Sequence, residues 1–331
     1  MRLIRLIECR LKAVVLALAL LVATMPAIAA TTVTTKVEPP PADAPAAAPV
    51  AAADPAYAAY EDGRYVTAMT LAKQAAAAGQ GSAATLVGRL FADGLGVPRD
   101  ATAAAQWYGK GAELGDANGQ FELGLLLAKG NGIAKDTDKA AALFEAAATA
   151  GNLPAKYNLG LLYASGNGRP LDPRKAFALI QEVAKSGDPQ AQYDLGQFYR
   201  NGFSGVWDDT KAAEWIGKAA VAGLPDAQVE FAVMLFKGRG VAQDSARAAW
   251  FFTAAAERGN PAAQDRLAVL YAQGIVYTAD PVTAAKWYLL ARGAGENDPN
   301  LDKLLARLTP EQLAAAEADA AAWRERVNPT P

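Results

Sequence analysis

Carboxylates carry most of the acid–base chemistry open to this sequence of 331 residues, because it contains no histidine and one cysteine, Cys9. Histidine is the commonest general base and metal ligand, so its absence excludes the usual hydrolytic triads and many zinc sites. Two acidic pairs, Asp136 with Asp138 and Asp208 with Asp209, could suggest a calcium loop or catalytic carboxylates. Neither pair has EF-hand spacing, and Asp136 and Asp208 are better placed as helix caps. We therefore predict no catalytic residue and no metal site.

Paired glycines are the second feature that could carry chemistry. Gly238-Arg239-Gly240 resembles half of a phosphate-binding loop. That fingerprint requires a preceding strand and a third glycine, whereas this pair follows a predicted helix and the third glycine is missing. We interpret the glycine pairs as helix stops within loops, and we predict no bound cofactor.

The first thirty residues have the features of a secretory signal peptide. Positive charges precede an apolar run over residues 13–23, and Ala27-Ile28-Ala29 offers a small-x-small cleavage site. The run is shorter than the ~20 residues that span a bilayer; a buried N-terminal helix or a membrane anchor is the alternative. We predict a signal peptide over residues 1–30, export to the periplasm or beyond, and no stable membrane insertion after cleavage.

Residues 31–54 are rich in threonine, proline and alanine and carry few charges. Their prolines favour extended polyproline segments without a packed core. We interpret this stretch as a flexible linker, and a proline-rich docking peptide is the alternative.

Four sets of residues recur with a period of 36 in one common register. Such a period is the signature of a solenoid, in which each unit packs against its neighbours. The high alanine content of the units favours helix. The sets are Gly79, Gly115, Gly151, Gly187, Gly223, Gly259 and Gly295; Gly94, Gly130, Gly166, Gly202, Gly238 and Gly274; Asp100, Asp136, Asp172, Asp208, Asp244 and Asp280; and Ala68, Ala104, Ala140, Ala176, Ala212, Ala248 and Ala284.

The unit from Asn152 to Gly187 shows how one period is built. Asn152 is predicted to cap a first helix whose apolar residues recur at three- and four-residue spacing. Gly166 ends that helix with left-handed backbone angles. Asp172 and Pro173 then begin a second helix, as cap and first helical residue, and Gly187 ends it. The period therefore predicts a helix–loop–helix unit.

The predicted fold is an all-α, α/α solenoid over residues 55–297. It comprises a partial first unit over residues 55–79 and six units over residues 80–295. Residues 298–331 break the period and carry more charge. Residues 309–312, Thr-Pro-Glu-Gln, have the pattern of a capping box that opens a last helix. We predict that this segment is a C-terminal capping helix with a short tail.

Small residues interrupt the first helix of the units at one register. Glycine inside a helix costs ~1 kcal/mol relative to alanine, so we expect the second helix to approach closely there. We expect bulky residues of the second helix to lie opposite. The small residues are Gly88, Gly124, Gly160, Gly196, Ala232 and Ala268, and the bulky ones are Trp107, Leu143, Leu179, Trp215, Phe251 and Trp287.

The recurring phrase resembles the Sel-1-like repeat, which is related to the tetratricopeptide repeat. It reads Ala-Lys-Tyr-Asn-Leu-Gly at residues 155–160 and Ala-Gln-Tyr-Asp-Leu-Gly at residues 191–196, and Lys-Trp-Tyr at residues 286–288 is another typical phrase. The resemblance covers residues 80–295 and implies antiparallel helix pairs stacked into a superhelix. It also implies an adaptor role, since exported bacterial proteins of this kind take part in envelope signalling, cell-wall or exopolysaccharide assembly and host contact.

Two loops depart from the repeated pattern. In the fourth unit Gly202-Phe203-Ser204-Gly205 displaces the second loop glycine by one position, and in the sixth unit Val276 stands in its place. We expect altered turns in both loops.

Four large side chains in unexpected positions are our candidates for contact with a partner. Trp207 precedes the capping Asp208, Phe203 lies between loop glycines, and Arg200 and Phe236 stand where other units have alanine. Such side chains anchor interfaces when a partner buries them. Packing of the aromatic rings against their own loop is the alternative.

Taken together, these features predict an exported, monomeric scaffold without enzymatic activity that binds another cell-envelope protein. The formal net charge of −2 argues against a nucleic-acid partner. A module that binds peptidoglycan or exopolysaccharide is one alternative, suggested by the aromatic loop residues. A glycan hydrolase that uses carboxylates alone is another, and it would need two carboxylates at a fixed separation in one cleft.

Overall fold

The computed structural model describes residues 54–327, and within this range the chain forms sixteen α-helices and no β-strand. The predicted α/α solenoid is confirmed. The predicted signal peptide and the linker up to residue 53 lie outside the described residues. None of the described helices combines the length and the hydropathy needed to cross a bilayer.

Each repeat pairs a first helix, the A helix, with a second, the B helix. Helices α1 (Pro55–Glu61) and α2 (Tyr65–Ala77) precede the six pairs, and α15 (Pro299–Leu305) and α16 (Pro310–Val327) follow them. The A helices are α3 (Gly81–Asp93), α5 (Ala117–Lys129), α7 (Leu153–Ser165), α9 (Pro189–Asn201), α11 (Pro225–Lys237) and α13 (Pro261–Gln273). The B helices are α4 (Ala101–Glu113), α6 (Thr137–Thr149), α8 (Pro173–Lys185), α10 (Asp209–Val221), α12 (Ser245–Glu257) and α14 (Pro281–Gly293).

The predicted caps set the helix ends. Asp172 accepts the backbone N–H groups of Arg174 at 3.1 Å and Lys175 at 3.0 Å. Asn152 caps α7 by accepting the N–H of Ala155 at 2.8 Å, and Gly166 ends that helix with a φ of 69°. These contacts satisfy backbone groups that a helix end leaves without a partner.

We call the A-helix register that carries Gly88, Gly124, Gly160, Gly196, Ala232 and Ala268 the small register. The A and B helices of one repeat approach each other closely there, as predicted. A Cβ atom on Gly88 would lie 2.6 Å from the Tyr108 ring, and one on Gly196 would lie 2.5 Å from Ile216. The prediction of the facing residues is wrong by one position in the sequence. Successive helical residues point about 100° apart, and the residue after each predicted one is directed at the glycine. The side chains opposite the four glycines are Tyr108, Phe144, Ile180 and Ile216, whereas we had expected Trp107, Leu143, Leu179 and Trp215.

The second loop glycine packs each repeat against the one before it. A Cβ atom on Gly132 would lie 2.3 Å from the carbonyl oxygen of Ala101, at the start of the preceding B helix. A Cβ atom on Gly168 would lie 2.4 Å from the carbonyl oxygen of Thr137. In these two loops a side chain would collide with the backbone of the preceding B helix, and glycine also adopts the left-handed angles without strain.

The two unusual loops behave differently. Val276 has a φ of 69°, within the 68° to 74° of the four glycines at its register, so the predicted change of turn is wrong for the sixth loop. The fourth loop is altered as predicted. Its positive φ moves to Gly205, at 87°, and the Gly205 N–H donates to the Gly202 carbonyl oxygen at 2.8 Å.

Helix α16 packs against the last repeat. The Trp323 ring lies edge-on to Trp287 with 6.2 Å between centroids, and its Nε1 donates to Glu257 at 3.0 Å. The predicted capping box is confirmed, since the Thr309 N–H donates to Gln312 at 3.0 Å and the Gln312 N–H donates to the Thr309 hydroxyl at 3.3 Å. The short helix α15 was not predicted.

Replacement of Val276 by glycine should stabilise the fold. A β-branched residue with left-handed angles carries a strain of about 1–2 kcal/mol, partly offset by the greater entropy of glycine in the unfolded chain. We expect Val276→Gly to raise the free energy of unfolding by roughly 0.5–1 kcal/mol, measured by urea denaturation. Val206→Gly, at an exposed valine outside the left-handed region, is the control and should not stabilise.

Truncation of Trp323 should destabilise the C-terminal end of the array. Trp323 is 8% exposed, whereas Trp250 is 61% exposed, and burial of a large aromatic ring contributes about 3–5 kcal/mol. We expect Trp323→Ala to lower the free energy of unfolding by about 3 kcal/mol and Trp250→Ala to change it by less than about 1 kcal/mol. Equal effects of the two substitutions in thermal unfolding would contradict the packing of α16.

Candidate functional site

A row of side chains on the A helices is joined by hydrogen bonds that run from one repeat to the next. The Tyr157 hydroxyl on α7 donates to Asp194 on α9 at 2.6 Å, and the Tyr193 hydroxyl on α9 donates to Glu230 on α11 at 3.0 Å. In each pair the carboxylate follows the tyrosine by 37 residues. It therefore stands one register beyond the position that corresponds to the tyrosine in the following repeat. We name this row the A face, and in every A helix it comprises the registers of Tyr157, Asn158, Leu161 and Ala164.

Glu230 is the most extensively bonded carboxylate of the A face. Besides the Tyr193 hydroxyl, it accepts hydrogen bonds from Gln197 and from the Arg200 guanidinium, both on the preceding A helix. The Glu230 side chain is 12% exposed. Charge and hydrogen bonds together compensate the loss of hydration at this buried carboxylate. Arg200, one of the predicted partner contacts, is thus engaged with Glu230.

Three other carboxylates of the A face are less well compensated. Burial raises the pKa of Glu122 against the opposing charge of Arg89, and burial raises the pKa of Asp194 despite its hydrogen bond with Tyr157. At Asp265, burial raises the pKa to about 6, although Arg266 opposes the shift. In the described part of the chain, the buried Oδ1 of Asp265 has no hydrogen-bond partner. Desolvation therefore outweighs local attraction at all three groups.

Two further predicted contact residues are held within the protein. The Phe203 ring is half-buried and stacks on Phe198 with 4.5 Å between centroids. Phe236 is also half-buried and packs against the core that α11 shares with its neighbours. The structure therefore places both rings against the solenoid itself.

Trp207 is the most exposed of the predicted contact residues, at 74%. Its indole lies so close to Gly202 that a Cβ atom there would overlap the ring. Gly202 is the C-cap residue of α9, so Trp207 lies at the C-terminal end of that helix. Leu171, at the same register in the preceding loop, is 62% exposed.

Sequence reasoning missed the two tyrosine–carboxylate pairs and a buried row of glutamines. Each of these glutamines donates its side-chain amide to a carbonyl near the end of the preceding B helix, eight residues earlier. The 36-residue spacing of the glutamines was the available signal, whereas the 37-residue offset of the tyrosine pairs hides them from a search for identical registers. The bonds are Gln192 to Ala184, Gln228 to Ala220 and Gln264 to Ala256, at 3.3, 3.2 and 3.2 Å.

The A face combines hydrogen-bonding groups, charged groups and apolar side chains. Within residues 54–327, no group of three or more aspartate, glutamate, cysteine or histidine side chains is arranged to hold a metal ion. Asp194 and Glu230 are each bound by a tyrosine hydroxyl. Half-buried apolar side chains such as Leu161 and Val233 lie among these polar groups.

The sequence model of the Sel1 repeat family matches six consecutive segments of the chain, namely residues 81–116, 117–152, 153–188, 189–224, 225–260 and 261–295. The chain belongs to the Sel1 repeat family. The resemblance noted from the sequence is thereby confirmed. Sel1 repeat proteins are generally interaction scaffolds that bind other proteins, and the repeat is generally non-enzymatic.

Solved structures of Sel1 repeat proteins share this fold. A Sel1 repeat protein from Oxalobacter formigenes is 31% identical, with a TM-score of 0.64 over 75% of this chain and 98% of its own. The protein c5321, a protective antigen of uropathogenic Escherichia coli strains with an SLR fold, is 28% identical, with a TM-score of 0.55 over 82% of this chain and 68% of its own. No curated protein sequence matches the chain.

The raised pKa of Asp265 predicts a pH-dependent stability. The folded state favours the protonated carboxyl, so this contribution is present below the ordinary pKa of about 3.9 and is lost as the pH rises through about 6. Asp265→Asn removes the titration. We expect the free energy of unfolding of Asp265→Asn, minus that of the unmodified protein, to increase by roughly 1–2 kcal/mol between pH 4 and pH 7. Asp319→Asn, at an exposed position of α16, is the control, and a pH-independent difference for Asp265→Asn would contradict the assignment.

Proposed function

We propose that this protein is an exported scaffold of the bacterial cell envelope, which binds another envelope protein along the A face and at Trp207. The observation that carries the proposal is the A face itself. It extends across successive repeats and joins them by polar contacts. The indole of Trp207, in the loop that follows α9, adds a side chain that is 74% exposed. Solenoids use such extended surfaces to bind other macromolecules.

The surface chemistry supports a protein partner. Half-buried leucine and valine side chains alternate with carboxylates, tyrosines and Arg200, which is the mixed apolar and polar composition of a protein interface. Exposed tryptophan is among the residues that contribute most when a partner covers them. Membership of the Sel1 repeat family supports the same function, since these proteins are generally interaction scaffolds.

The N-terminal sequence supports export. Residues 1–30 combine a basic start, an apolar run and a small-x-small site, which is the pattern of a cleaved signal peptide. The proposed location is the periplasm, where the chain after residue 30 would carry no cysteine and would need no reducing environment. Cell fractionation, with N-terminal sequencing of the mature protein, tests this part separately. A protein that retains its first residues in the cytoplasm would contradict export.

Glycan binding is the second candidate, and Trp207 is the observation that favours it. An exposed indole can stack on a sugar ring as well as on a protein side chain, because both contacts bury flat apolar surface. Co-sedimentation with purified peptidoglycan sacculi distinguishes the two functions. Retention on sacculi without any captured protein would favour the glycan-binding module.

Capture of a partner from the envelope tests the scaffold function. We expect the immobilised protein to retain one dominant protein from a detergent-solubilised envelope extract, identified by mass spectrometry. Trp207→Ala should lower the affinity for that protein about tenfold or more, as loss of an interface tryptophan does. Trp250→Ala, which removes an equally large exposed ring from a B helix, should leave the affinity unchanged.

The outcomes separate the parts of the proposal. A partner lost with both tryptophan variants would indicate general hydrophobic retention and not a specific interface. A partner retained equally by both would keep the scaffold and exclude Trp207 from its interface. No protein above background would contradict the scaffold function itself.

A further inference from the structure

Asp194 differs from the matching carboxylates of the A face because no cation of the described residues faces it. Its two oxygens accept hydrogen bonds from Tyr157 at 2.6 Å and Gln190 at 3.2 Å. Asp188 is also negative, and its charge raises the pKa of Asp194 further. The closest lysine in sequence on the preceding A helix, Lys156, pairs instead with Glu182 at 2.5 Å.

The carboxylates at the same register of two other repeats do face cations. Glu230 forms an ion pair with Arg200, which lies 30 residues earlier on the preceding A helix. Arg89, which lies 33 residues earlier on the preceding A helix, and Lys129 act on Glu122 through their charges by lowering its pKa. Arg89 also pairs with Asp93 at 3.7 Å. The preceding A helix thus has two registers from which a cation acts on this carboxylate, one by direct contact and one through its charge alone.

The third repeat fills both of those registers with uncharged side chains. Leu161 stands 33 residues before Asp194 and Ala164 stands 30 residues before it. Both are half-buried, and Ala164 occupies the register from which the Arg200 side chain reaches Glu230. The A face therefore lacks a positive charge beside Asp194, at the junction of α7 and α9, and carries short or uncharged side chains in its place.

The Asp194 carboxylate destabilises the fold unless a positive charge compensates it. A half-buried carboxylate without a counter-ion loses hydration and gains no charge pair in return, as the raised pKa of Asp194 reflects. The ring of Tyr157, whose hydroxyl bonds Asp194, adds an aromatic surface that also attracts cations.

We propose that the A face at Asp194 binds an arginine or lysine side chain of the partner protein, which takes the place that Arg200 fills beside Glu230. The cation pairs with the Asp194 carboxylate, and its aliphatic stem lies over Ala164 and Leu161. This inference rests on the proposed scaffold function and specifies the chemistry of the partner. Partner proteins with an exposed basic segment are thereby selected over acidic ones.

Selection of peptides on the immobilised full-length protein tests the inference without knowledge of the partner. The probe is a phage-displayed library of random short peptides, with a parallel library that lacks arginine and lysine. We expect enrichment from the first library and none from the second, and a basic residue at one position shared by the selected peptides. A synthetic copy of the most enriched peptide is then titrated by calorimetry.

Two substitutions and a control locate the site. Asp194→Asn keeps an acceptor for the Tyr157 hydroxyl and removes the charge, and we expect it to weaken the peptide about tenfold, as loss of a charged hydrogen bond does. Ala164→Arg supplies an internal cation at the register of Arg200 and should weaken the peptide as much. Glu317→Gln removes an exposed carboxylate of α16 and should have no effect. Circular dichroism and thermal unfolding verify that all three variants fold.

The outcomes distinguish this inference from the scaffold function. Selected peptides without a shared basic residue, failure of the first library, or a basic peptide unaffected by both Asp194→Asn and Ala164→Arg would each overturn the inference. The scaffold function stands independently on capture from the envelope extract. A captured protein whose binding is unchanged in Asp194→Asn would leave the scaffold in place and move its interface away from Asp194.

Discussion

The close approach of the A and B helices within each repeat is the constraint on which the rest of this structure depends. At the small register the ring or branched side chain of the B helix rests directly on the A-helix backbone, with no room for a Cβ atom at Gly88, Gly124 or Gly196. This contact determines which side of each A helix faces its partner. Asn158 and Leu161 lie about 160° and about 100° around the helix from Gly160, so these two registers of the A face are directed away from the B helix.

Stacking of the repeats adds a second, independent set of short contacts. The second loop glycine brings one repeat's loop onto the backbone of the preceding B helix, and the buried glutamines bind carbonyl groups of that same helix. Each contact joins nearest neighbours, as expected for a solenoid whose stability is a sum of repeats and interfaces. Polar contacts along the A face can therefore vary from repeat to repeat while the stacking remains the same.

Much of this architecture could be predicted from the sequence, because caps, helix stops and close approaches each require particular residue types at fixed registers. Asp172, Gly166 and the capping box at Thr309 are determined by local backbone chemistry and were predicted correctly. The identity of Tyr108 as the residue opposite Gly88 was not, since a period of 36 does not distinguish two adjacent bulky registers. Val276 was also misjudged, since it has the left-handed angle of the glycines at its register although valine disfavours that angle.

The candidate site was less predictable, because its contacts join different registers of different repeats. Large side chains such as Phe203 attract attention in a sequence, yet the structure places that ring on its own helix. Leu161, Ala164 and Asp194 are unremarkable as residue types, and their significance lies in what stands at the same registers elsewhere. Stacking does not require an uncompensated carboxylate on the A face, since Glu230 shows that the array accommodates a neutralised one. Asp194 accepts hydrogen bonds from Tyr157 and Gln190 within the fold but has no counter-ion among the described residues. A charge left without a counter-ion in this way is best explained by a contact outside the fold.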